Sequence, residues 1–177
     1  VGELCLSFHN ETLQGPRGSI DNVAAQIEGA EFLHGPLREN NCSACHSAHG
    51  SDHPEILDMA FPADFYAEYE EGKYALCFNC HDQQIVREET TTVTAFRNGN
   101  RNLHYVHVNR EKGRSCRSCH HEHASNQHNH VRSEVPFGRW VMEIDFNQTD
   151  SGGGCTTGCH LPYKYDRQNP VDNTVKF

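Results

Sequence analysis

The sequence predicts an irregular fold, mostly coil with a few short helices and short strands, organised around something other than an apolar protein interior. Two observations predict it. Leu, Ile, Val and Phe make up 34 of the 177 residues, about 19%, and the formal net charge is −9. A chain so poor in large apolar side chains and so charged does not bury enough surface to fold unaided. Against that stand 9 Cys and 14 His, residue types that hold metals and prosthetic groups. The missing core is therefore expected to be supplied by something bound.

The cysteine spacing says what. Eight of the nine fall in four pairs, each followed directly by a histidine: Cys42-x-x-Cys45-His46, Cys77-x-x-Cys80-His81, Cys116-x-x-Cys119-His120 and Cys155-x-x-x-Cys159-His160. C-x-x-C-H is the attachment signature of c-type haem. Two thiols add across the two vinyl groups on one porphyrin edge, and the adjacent imidazole reaches the iron as proximal ligand. Zinc knuckles would explain the cysteines but not the four adjacent histidines. The fourth motif has one extra residue between its thiols; Gly158 and the run Gly152-Gly153-Gly154 would let that loop bulge. The chain is thus read as wrapped around a stack of four haem c groups with their iron.

The motifs repeat as a couple. His34, then Cys42-x-x-Cys45-His46-x-x-His49, then Cys77 is matched by His107, then Cys116-x-x-Cys119-His120-x-x-His123, then Cys155, with first-to-second motif spacings of 35 and 39 residues. The flanks Ser47-Ala48-His49-Gly50-Ser51 and His121-Glu122-His123-Ala124-Ser125 correspond. This divides the chain into an N-terminal arm (1–31), a first two-haem module (32–104) and a second (105–177), within one domain overall. Ten histidines remain after the proximal four. The repeat selects His34, His49, His107 and His123 as distal ligands, with His9, His104 or His130 as alternatives. Three residues span at most about 10 Å, so His49 would serve a neighbouring haem rather than the one held by His46. Met59 and Met142 read as packing residues. Cys5, in Cys5-Leu6-Ser7-Phe8-His9, is either a decayed motif, a buried or paired thiol, or the mark of an arm whose His9 reaches another subunit.

Secondary structure is weakly written. Residues 21–33 read as a helix with Asp21 as cap and Val23, Ile27 and Ala30 on one face. Residues 62–72 read as a second, opened by Pro62, closed by Gly72, with Phe65 and Tyr69 inward. Residues 90–96 are β-branched and lead into Asn98-Gly99, a hairpin-turn signal. Trp140, Met142, Ile144 and Phe146 alternate with Val141, Glu143 and Asp145, the pattern of a half-buried strand. No stretch approaches the roughly 18 apolar residues of a membrane helix. Residues 1–18 lack the basic head and apolar core of a secretory signal, as a mature N-terminus would.

His34-Gly35-Pro36 before a motif, Cys45-His46-x-x-His49-Gly50-Ser51 across one, and motifs in couples resemble the doubled C-x-x-C-H multihaem cytochromes, from about Phe32 to Tyr163. Size, four motifs and the Cys-His-x-x-His spacing are similar to tetrahaem subunits of extracellular cytochrome filaments. The resemblance implies bis-histidine haems in a continuous chain along a polymer, and a distal histidine that can come from an adjacent subunit. It carries His46, His81, His120 and His160 over as proximal ligands and His34, His49, His107 and His123 as distal ones.

The function expected is electron transport by hopping, as the subunit of an extracellular nanowire, exported to the cell surface or beyond. The alternative is a soluble periplasmic shuttle. No enzyme is expected: a reductase needs an iron with an open sixth position, and histidines are in excess. Partners would be other copies of the chain, redox proteins or extracellular acceptors. An acidic chain repels nucleic acid, and no transmembrane segment is present. If macrocycles replace the core, the chain made without haem is largely unfolded; circular dichroism and limited proteolysis of haem-free protein should show coil and rapid cleavage, and a protease-resistant apoprotein would contradict this.

Overall fold

The structure is a computed structural model that describes residues 2–15 and 18–174. Val1, from which the mature N-terminus was read, Pro16 and Arg17 of the arm, and residues 175–177 of the second module lie outside the described residues. Short elements separated by irregular chain make up the fold, as the composition requires.

Helix α1 (Gly2–Phe8) and a hairpin of β1 (Leu13–Gly15) and β2 (Gly18–Ile20) come first. Helix α2 (Val23–Glu28) follows. Asn22, not Asp21, is its cap, accepting from the Ala25 N–H at 2.9 Å. The helix stops at Gly29, short of the expected residue 33, because Phe32 and Leu33 (β3) leave to pair with Ser125 and Ala124. Single turns α3 (Gly35–Arg38), α4 (Ala75–Phe78) and α5 (Gln84–Arg87) carry the chain through the first two motifs.

The expected helix over 62–72 does not form. The N–H groups of Ala67 and Tyr69 donate to Gly113 and Val108 carbonyls instead, at 2.9 and 3.0 Å. From Phe65 to Glu70 less and more exposed residues alternate, a period of two that the Pro62 and Gly72 brackets concealed. The strand expected over 90–96 is also absent, apart from a bridge of Thr90 to Arg101. The hairpin turn is present one step later: β4 (Arg97–Asn98) and β5 (Arg101–Asn102) flank Gly99, whose φ of 56° suits glycine.

Helix α6 (Leu103–Val108) depends on one residue. Asn102 is fully buried. Its Oδ1 accepts from the N–H groups of His104 and Tyr105 at 3.0 and 3.3 Å, and its Nδ2 donates to Ile85 and Glu88 carbonyls, both at 2.9 Å. It both caps α6 and ties it to α5.

After β6 (Ala124–Ser125), the chain ends in an antiparallel sheet of β7 (Glu134–Phe137), β8 (Trp140–Gln148), β9 (Gly152–Thr157) and β10 (His160–Asp166), in spatial order β10-β9-β8-β7. The expected strand is there as β8. Its alternation holds from Met142 to Phe146, with Ile144 buried, but Trp140 is 73% exposed. The glycine run is not a bulging loop but part of β9. A side chain at Gly152 would run into the Tyr165 carbonyl, and one at Gly153 into the Asn147 carbonyl. Close strand approach, not flexibility, requires those glycines.

The sequence repeat is a backbone repeat. Cys116 stands 74 residues after Cys42, and the same offset relates every matched contact that follows. His46 bridges Leu57, and His120 bridges Val131. The Asp58 N–H reaches the Cys45 carbonyl and the Arg132 N–H the Cys119 carbonyl, both at 2.8 Å. Glu55-Ile56 and Asn129-His130 are consecutive left-handed residues, with φ of 59° and 50° against 56° and 56°. Leu57 and Val131, equivalent in the repeat, each seed one of two small apolar clusters. The first joins Leu57, Phe61, Ala67 and Tyr74; the second joins Val131, Val135 and Ile144. Cys45, Cys77 and Cys116 pack on the first and Cys155 on the second, so the apolar residues that do exist back the motifs.

Removing the Asn102 side chain strands two part-buried carbonyls and two helix N–H groups. Asn102→Ala should destabilise the folded protein by about 2–4 kcal/mol. Denaturant unfolding of the pigmented protein checks this, and a loss below about 1 kcal/mol would contradict it.

Candidate metal centres

Each of the four motif histidines faces one other imidazole, and each faces a different one. His34 and His81 have ring centroids 6.0 Å apart and planes 6° from parallel. His46 and His123 are 6.3 Å apart at 25°, His104 and His120 6.3 Å at 29°, and His107 and His160 6.3 Å at 46°. A metal–imidazole bond of about 2 Å and about 1.1 Å from nitrogen to ring centroid, taken twice, give about 6.2 Å between two rings sharing one metal ion. The residues present therefore fit a six-coordinate haem iron with an imidazole on each face.

Hydrogen bonds fix which nitrogen faces inward. The Nδ1 atoms of His46 and His120 lie 2.9 Å from the carbonyls of Glu55 and Asn129, the two equivalent left-handed residues. Those of His107 and His160 lie 2.7 and 2.6 Å from the carbonyls of Leu103 and Leu161, and that of His104 lies 3.2 Å from the Thr94 hydroxyl. A carbonyl only accepts, so Nδ1 of those four rings carries the proton and Nε2 keeps its lone pair for a metal. At five of the eight rings burial favours the neutral form, the one that ligates. It lowers the basicity of His34, His107, His120 and His123, and takes His104, aided by His120 and His107 nearby, down to about 3.

The first three motifs share one local geometry. The histidine N–H donates back to the first cysteine carbonyl, at 3.0 Å for His46 and His81 and 2.8 Å for His120. That turn brings the histidine back beside the first cysteine of its motif. The fourth motif, with its extra residue, uses a strand turn: Cys155 lies in β9, His160 opens β10, and His160 pairs with Thr157. Cys159 Sγ lies 3.3 Å from Met142 Sδ. None of the nine cysteines is joined to another. Among the described residues no three of His, Cys, Asp or Glu converge as a free metal ion would need, so the zinc-knuckle geometry is not formed.

Three of the four expected distal histidines, His34, His107 and His123, stand opposite a motif ring. His49 is exposed and stands opposite none among the described residues; the ring opposite His120 is instead His104, named in sequence only as an alternative. The repeat pointed to His49 because it is the counterpart of His123. What it hid is that His123 faces the histidine of the other module, so the first module has no earlier partner for His49. Helix α6 was the missed signal: His104 and His107, three residues apart, share one helical face. His130 sits edge-on to His34 at 5.5 Å, and His9 faces no motif ring; each has a buried Nδ1 without a hydrogen-bond partner among the described residues. His121 and His123 are also 6.3 Å apart, at 50°, but neither follows a cysteine pair. The Cys5 thiol lies against that of Cys42.

The family model described as the doubled CXXCH motif matches residues 34–85. The match supports a multihaem c-type cytochrome, with haem c held covalently and its iron bound. It covers less than a third of the chain, the first of the two couples. No curated protein and no solved structure matches this chain. No helix among the described residues is long and apolar enough to cross a membrane.

The ring pairs predict a contrast between two histidines. His104→Ala should create one iron of four that binds carbon monoxide after reduction, while His49→Ala should create none. Optical titration with carbon monoxide checks this, and the reverse pattern would contradict the pairing.

Proposed function

We propose that the chain is a tetrahaem electron carrier whose irons are held by His46 and His123, His81 and His34, His120 and His104, and His160 and His107. The single observation that carries this reading is the set of four ring pairs at 6.0–6.3 Å, one for every motif. When bound, each haem supplies a one-electron iron couple. The protein's part is to fix ligands, spacing and exposure. With two imidazoles per site no sixth position is left open, which supports a carrier over a reductase. Two histidines rather than a methionine keep the potentials low.

Neighbouring sites share structure in sequence order. Between sites one and two, the His34 N–H donates to the His123 carbonyl at 3.0 Å. Between two and three, the Cys77 and Cys116 thiols lie within hydrogen-bond reach and pack on the same cluster. Between three and four, His104 and His107 ride on α6, and the Phe96 ring touches both, at 5.1 and 5.8 Å. These contacts support an unbranched relay from the first motif to the last.

The assembled state we propose is an exported, extracellular filament. Leu4 and Phe8, on the helix that brings Cys5 against Cys42 of the first site, are each 66% exposed. Trp140 and Leu161, beside the last site, are 73% and 66% exposed. Head-to-tail contact between those two faces would extend the relay from copy to copy. A periplasmic shuttle is the second reading, favoured by one observation: every motif histidine has its facing ring within the same chain. Intact mass and micrographs of the native protein test both levels. Four haem adducts and ordered filaments are expected; fewer adducts would overturn the tetrahaem assignment, none at all would overturn the carrier, and four adducts on isolated monomers would overturn the filament alone.

A further inference from the structure

The two ligand rings of the first site come from different modules, and a chain of side chains outside the iron joins them. From the contacts along it we infer that Glu122, with Arg117 and Glu55, is a positioning residue that holds His123 opposite His46. This inference rests on the ligand pairs proposed above.

The path starts at the His46 ring, whose Nδ1–H donates to the Glu55 carbonyl at 2.9 Å. The carboxylate of the same Glu55 meets Arg117 Nη1 at 3.4 Å. Arg117 Nε meets Glu122 at 3.4 Å, and Glu122 is the residue before His123. Two further contacts stiffen the path. Arg117 lies over the Phe61 ring at 5.9 Å. Arg132 donates to Glu122 at 2.8 Å and to the His120 carbonyl at 3.0 Å. The charges alternate along Glu55, Arg117, Glu122 and Arg132, so like charges are not brought together.

The internal repeat supplies the control. Residues 74 positions away from Arg117, Glu122, Arg132 and Glu55 are Ser43, Ala48, Asp58 and Asn129. The backbone turn occurs in both modules, but the ionic path occurs once, where it can join a ligand of one module to a ligand of the other. The backbone alone does less there. Apart from this path, His123 is held by the two-residue ladder of β3 on β6, one hydrogen bond from His34 and a long one, 3.4 Å, from its own N–H to His121 Nδ1. A lone exposed ion pair contributes little, whereas a network anchored on an aromatic ring and a backbone carbonyl fixes a position.

A two-imidazole iron takes up carbon monoxide only in the moments when one ring has swung away. The test mixes the reduced holoprotein with carbon monoxide and follows capture optically. In Glu122→Gln, capture should be about tenfold faster in no more than a quarter of the pigment, with the haem count unchanged. Glu70→Gln, which breaks the separate pair with Lys73 at 3.2 Å, should behave as wild type. A second arm needs no variant. Raising salt to about 1 M screens the path, so wild-type capture should speed up, and Glu122→Gln should lose that salt dependence. Capture within about twofold of wild type in Glu122→Gln, a wild-type rate indifferent to salt, or a rise spread evenly over all four haems would overturn the inference. A wild-type protein with fewer than four haems, or with an iron open before any substitution, would instead overturn the ligand reading beneath it.

Discussion

Two imidazoles with ring centroids about 6 Å apart, one such pair for every motif, are the constraint on which the remaining structure depends. The distance alone also occurs between packed aromatic rings; what distinguishes these four pairs is that each contains a motif histidine and every motif has one. Holding four such pairs requires carbonyls to aim Nδ1, as Glu55 and Asn129 do from matched left-handed turns. It is helped where burial favours the neutral ring, most of all at His104. It also requires caps such as Asn102, which sets α6 and with it two of the eight rings.

The same constraint explains why so little regular structure serves. Among the described residues buried apolar side chains gather in two small clusters, and one cysteine of each motif packs on one or the other. Elsewhere the backbone spends its hydrogen bonds on single turns around each motif. The four-stranded C-terminal sheet is the largest sheet among the described residues, and its β9–β10 turn is where the fourth motif departs from the other three.

Much of this was legible in the sequence because thioether attachment demands fixed residue types at fixed spacing. The four motifs, the doubled organisation and strand β8 could all be read from residue order alone. Two classes of feature could not. Elements defined by distant partners were misread: 62–72 looked helical between Pro62 and Gly72, yet its N–H groups answer to carbonyls at 108 and 113. The ring pairs across modules were also hidden, since an exposed His49 and a His123 paired with His46 occupy identical positions in the repeat. The distinction lies in what stands opposite, which depends on how β3 meets β6 and on a helix, α6, with no counterpart at the matching place in the first module.

The most direct test is an experimental density map of the pigmented protein that resolves the ligands of each iron. The account predicts four irons, with His123, His34, His104 and His107 opposite His46, His81, His120 and His160 in that order. An iron ligated by His49 or by a methionine, or one with an open face, would contradict it.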